Sequence, residues 1–89
     1  MKRDTPNEAG RAILEAVENQ LEANDPPKVR ETLQRLMSDS IDRDEALKYI
    51  ACALSVEIFG AMKYSEPYNP TRYHTNLDRL PEMPWEDEE

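Results

Sequence analysis

Cysteine and histidine are nearly missing from this chain, with one of each, Cys52 and His74, in 89 residues. A single cysteine excludes an internal disulfide, and no zinc cluster of Cys/His spacing can form from one of each. Nothing in their positions suggests a Cys–His nucleophile pair. Glycine is almost as scarce, at two residues, and no glycine-rich segment or internal repeat occurs. Basic residues number 11 against 19 acidic ones, a formal charge of −8. That balance argues against a chain held on DNA, RNA or anionic lipid by phosphate contacts, so neither nucleic acid nor membrane is an expected partner. Long apolar runs are missing too, since the longest falls short of the roughly twenty residues needed to span a bilayer. Lys2 and Arg3 are followed by polar residues where a signal peptide needs an apolar core, so no export signal is predicted and a cytoplasmic protein is expected.

What the chain does have is Tyr49–Met62, YIACALSVEIFGAM, in which Ser55 and Glu57 are the strongly polar residues. A helix apolar on nearly every side must be covered by other helices, by a second subunit, or by both. Eighty-nine residues suit one domain near the lower end of independently folding sizes. Self-association that hides more of this helix would add stability, so a homodimer is expected. Cys52, inside the run, is expected to be a buried thiol.

Prolines punctuate the rest. Thr5-Pro6-Asn7-Glu8 is a capping box that predicts a helix start, and Ala9, Ile13, Val17 and Leu21, with Leu14, form its apolar stripe. Asn24-Asp25-Pro26-Pro27 ends this helix, with Asp25 expected as the next N-cap and Pro26 at the first helical position. Val29, Leu33, Leu36 and Met37 mark a second amphipathic helix. Asp42 and Glu45 form another capping box, which opens the central helix, where Leu47, Ile50, Leu54, Ile58 and Met62 are the expected buried seam. Asn69 caps a fourth helix with Pro70 at its first position, and Tyr73, Leu77 and Leu80 are its apolar stripe until Pro81 stops it. The predicted fold is all-α, with four helices at roughly 6–23, 26–38, 43–63 and 70–80. Residues 1–80 then form the helical domain, and 81–89 an irregular acidic tail containing Pro and Trp.

Candidate sites are few. His74 follows Tyr73 on a short helix and is expected to face solvent. Glu15, Glu18 and Glu22 share one helix face, but the Glu-x-x-His pair that would complete a carboxylate metal site in a bundle is missing, so a solvated acidic face is the expectation. Glu57 is the odd residue of the central helix: an isolated buried carboxylate costs several kcal/mol, so it must be exposed, paired or protonated. Arg30 or Arg35 of the basic second helix is its expected partner. If Glu57 instead faces a cavity beside Glu15 or Glu18, a metal site returns, with Glu18 and Glu57 as the candidate ligands. In the tail, Trp85 and Met83 either fold back onto the bundle or serve as a linear peptide for a partner, and folding back is preferred because a free Trp is costly to expose. Trp85, Met83 and Tyr68 are the interaction candidates. No familiar enzyme signature stands out and no cofactor is called for. The expected function is a non-enzymatic protein–protein interaction module that self-associates; the alternative is a metal-binding helical protein using glutamate ligands.

Three segments carry a resemblance: Val17-Glu18-Asn19-Gln20, Asp25-Pro26-Pro27-Lys28-Val29-Arg30-Glu31-Thr32 continuing through Leu33-Gln34-Arg35-Leu36, and Leu80-Pro81-Glu82-Met83-Pro84-Trp85. Together they resemble a family of small bacterial helical proteins of unknown function. Its members carry histidines four apart ahead of the Glu-Asn-Gln segment and again at the start of the third helix, which would imply metal binding. Here the matching positions hold Pro6, Gly10 and Leu14, then Asp44 and Lys48. The resemblance therefore implies a helical fold without that ligand set.

Overall fold

The computed structural model describes residues 8–83, with side chains from residue 10 onward. Four helices follow in order: α1 (Glu8–Ala23), α2 (Pro27–Ser38), α3 (Arg43–Tyr64) and α4 (Pro70–Arg79), with no strand among the described residues. The expected all-α architecture is therefore present. The capping box at residues 5–8 and Trp85 lie outside the described residues, apart from Glu8 itself.

Local chemistry sets most of the boundaries. The Asp42 side chain accepts a hydrogen bond from the Glu45 amide at 2.9 Å, and Asn69 does the same for the Arg72 amide at 3.1 Å. Each satisfies one of the amides that a helix start leaves without an intrahelical partner. One cap differs from the expectation. Pro26, not Asp25, is the N-cap of α2, with φ −80° and ψ 149° and no side-chain cap, and Pro27 occupies the first turn. The cause is the second proline: a residue that precedes proline is pushed out of the helical region, so Pro26 cannot itself be helical. Leu80 stops α4 one residue early for the same reason, at φ −55° and ψ 142° ahead of Pro81. At the far end of α3, Ser65 turns into the left-handed region at φ 56°, and the Gly60 carbonyl accepts from the Glu66 amide at 3.2 Å.

Every other helix packs on α3. The core joins Val17 and Leu21 of α1, Val29, Leu33 and Leu36 of α2, Ala46, Leu47, Ile50, Ala53 and Leu54 of α3, and Tyr73, Leu77 and Leu80 of α4 and its end. Tyr73 is wholly buried, and its hydroxyl donates to Gln20 Oε1 at 2.9 Å, which fastens α4 to α1 and gives the phenol the partner it needs. Burial pushes the Tyr73 hydroxyl well above the ordinary phenol range. Two arginines of α2 reach the ends of the flanking helices. Arg30 donates to the Leu21 carbonyl at 2.8 Å, and the Arg35 fork to those of Leu77 and Leu80, both at 2.9 Å. Leu21 and Leu77 lie in the last turns of their helices and Leu80 is the C-cap of α4, a position where positive charge is favoured. Lys28 also pairs with Asp78.

The expected seam of α3 needs one correction. Leu47, Ile50 and Leu54 are buried and Ile58 partly so, but Met62 is 76% exposed. Steps of three, four, four and four residues drift around a helix of 3.6 residues per turn, and by position 62 the seam has rotated off the face that the other helices cover. Met37 of α2, also expected inside, is exposed as well.

Candidate interaction surface

The two faces of α3 differ in kind. On the inner face, Glu57 is only 3% exposed and fully engaged. Arg72 Nε donates to Glu57 Oε2 at 2.6 Å, Arg72 Nη2 to Oε1 at 3.0 Å, and the Asn69 amide to the same Oε1 at 2.9 Å. Arg72 Nη1 also reaches Glu66 at 3.3 Å. Gly60 makes room for this cluster, because a Cβ there would stand 3.2 Å from the Glu66 carboxylate and 3.5 Å from Arg72. Burial pushes the Glu57 carboxyl up, but the hydrogen bonds from Arg72 and Asn69 and the guanidinium charge outweigh it, leaving the group below its ordinary 4.5. The same pairing raises Arg72. The cluster locks the start of α4 against the last turns of α3.

Glu57 is thus paired, as its burial required, but its partner is neither Arg30 nor Arg35, whose guanidinium groups are committed to helix-end carbonyls. The readable signal was topology: α3 and α4 are joined by five residues, so the residues nearest the end of α3 come from the start of α4. Glu18 lies elsewhere. It is exposed and pairs with Arg43 at 3.3 Å, at the opposite end of α3, fourteen residues or about 21 Å along the helix from Glu57. The two candidate ligands are therefore not brought together, and among the described residues no three His, Cys, Asp or Glu side chains are grouped to hold a metal ion. His74 is half-buried rather than solvent-facing, with its Nε2 buried and without a hydrogen-bond partner.

The outer face of α3 is apolar and, among the described residues, left open. Ala51, Cys52, Ser55 and Phe59 form one side of a groove of about 450 Å³, Gly10, Ile13 and Leu14 of α1 form the other, and Lys48 sits at its edge. Phe59 is 54% exposed, and Phe59, Met62 and Lys63 bound a second hollow toward the helix end. Cys52 is half-buried in this groove rather than enclosed in the core, which corrects the expectation of a buried thiol. The Ser55 hydroxyl turns back to donate to the Cys52 carbonyl at 2.6 Å, leaving a low, small-residue floor. Between Lys48 and Lys63 the only acidic residue of α3 is Glu57, which points inward. In a chain with 19 acidic residues, this face is a gap in the negative surface.

The three interaction candidates of the sequence lie off this groove or outside the described residues. Tyr68 is exposed in the α3–α4 connection, its ring edge-on to Tyr73 at 6.1 Å. Met83 is half-buried and packs against the core beyond the end of α4, so the first part of the tail does fold back. Tyr68 and Met83 thus flank opposite ends of α4. Trp85 lies outside the described residues. Phe59 carries no signal of its own and Met62 reads as part of the buried seam, because an apolar helix gives no periodicity from which to tell its covered side from its open one. Among the described residues no helix is long and apolar enough to cross a membrane. No family model, curated protein or solved structure matches this chain.

Proposed function

We propose that this protein is a non-enzymatic interaction module that self-associates through the outer face of α3 and the adjoining side of α1. One observation carries the reading: Phe59 and Met62 stand 54% and 76% exposed beside an apolar groove, on a chain whose remaining surface is rich in carboxylates. Contiguous exposed apolar surface rimmed by polar groups marks interaction sites, and the depletion of acidic charge on this face lowers the local repulsion that a chain of net −8 meets in approaching its own copy. Exposed aromatic and Met side chains are also the types enriched where proteins meet.

The test is light scattering on eluting protein over a wide concentration range. The wild-type mass rises from the monomer value of 10.3 kDa toward twice that figure. Phe59→Glu places a charge in the groove, and the variant stays at the monomer mass with an unchanged helical circular dichroism spectrum. A wild-type chain that remains monomeric at millimolar concentration would refute self-association.

A further inference from the structure

Six residues form a single stripe down the outer face of α3: Asp44, Lys48, Cys52, Ser55, Phe59 and Lys63. None is buried; Cys52 and Ser55 are half-buried, and the others are exposed. Their spacing is four, four, three, four and four residues, which keeps them on one side of a 3.6-residue helix and reads the same in both directions. The stripe is therefore symmetric about a point between Ala53 and Leu54. Its chemistry is not symmetric, with a carboxylate at the start and an ammonium at the end.

From this stripe, and resting on the self-association just proposed, we infer that the partner is a second copy whose α3 lies antiparallel, with the two-fold axis passing beside Ala53 and Leu54. Reversing one stripe against the other sets Asp44 opposite the second copy's Lys63, Lys48 opposite its Phe59, and Cys52 opposite its Ser55. Each pairing occurs twice, as an isologous interface requires. Opposite charges meet at both ends, an ammonium meets an aromatic face, and small residues meet at the centre, where the helices come closest. The exposed Phe59 of each copy points toward the groove floored by Ala51 and Cys52 in the other. The parallel alternative sets Asp44 against Asp44, Lys48 against Lys48 and Lys63 against Lys63, and like charges in juxtaposition disfavour it.

Charge reversal tests the arrangement. Asp44 and Lys63 are nineteen residues apart, about 28 Å along α3, so within one chain they cannot pair. In sedimentation equilibrium, Asp44→Lys and Lys63→Asp each weaken the dimer by about 3- to 10-fold, as expected for two rim pairs turned repulsive, and the double variant regains wild-type affinity. A dimer indifferent to the single changes, or one the double change does not restore, would overturn the antiparallel arrangement and leave the interaction reading standing. A wild-type monomer would overturn both. A second measurement does not depend on these substitutions. With Cys52→Ser and a spin label at Glu45→Cys, the two labels lie about 25 Å apart along the helix axis in the antiparallel dimer. A separation near the 8–10 Å between packed helix axes would mean parallel helices and would overturn the proposal.

Discussion

The inner and outer faces of α3 are made from similar residues and meet opposite fates. Inside, Ala46, Ile50, Ala53 and Leu54 are covered by α1, α2 and α4, and the one charged residue, Glu57, is neutralised by Arg72. Outside, Ala51, Cys52 and Phe59 are just as apolar, and among the described residues they stay half-buried or exposed. The helices α1, α2 and α4, of 16, 12 and 10 residues, are each shorter than the 22-residue α3, seven of whose residues are buried.

The largest blow to this contrast is Ile50→Ala. Ile50 is wholly buried where the helices converge, and its truncation costs about 2–5 kcal/mol, enough to unfold much of so small a domain in thermal or urea denaturation. An effect below about 1 kcal/mol would mean that the inner face is not the core. Next comes Glu57→Ala, which removes the accepting half of a charge-assisted cluster and lowers stability by about 2 kcal/mol at neutral pH. Its sign with pH is definite. The folded carboxyl titrates below its ordinary 4.5, so the contribution is complete above that value and is lost as pH falls through the folded pKa. Wild type and variant should therefore converge in stability on acidification. Arg72→Ala reverses the dependence: burial, the largest single influence on Glu57, is then no longer outweighed, the folded pKa rises above 4.5, and stability falls as pH increases through that interval. The smallest effect belongs outside. Ser55→Ala removes a hydroxyl that, among the described residues, bonds to its own helix and changes folding stability by no more than about 0.5 kcal/mol. A larger loss would mean that the outer face also supports the fold.

Much of the architecture could be read directly because its causes are local. Asp42 with Glu45, and Asn69 with Pro70, announce helix starts within four residues, and the structure shows the bonds they imply. The apolar stripes of α1, α2 and α4 were legible because polar residues on their other sides gave contrast. The Pro26–Pro27 boundary was misplaced although its physics is equally local, since the second proline dictates the conformation of the first. What could not be read is what depends on docking. The partner of Glu57 is fifteen residues away and is set by how α4 returns along α3. The open side of α3 is fixed by where α1, α2 and α4 dock on it, and nothing in Phe59 or Met62 alone distinguishes them from Ile50 or Leu54.

The hold of Arg30 and Arg35 on α1 and α4 bears on how the molecule tolerates added sequence. The first and last helices are each braced at their C-terminal ends by a guanidinium from the middle of the chain, so an extension beyond α4 starts from a held helix end. A purification handle or a fused reporter placed after the last helix would be carried beyond a helix end that Arg35 already holds.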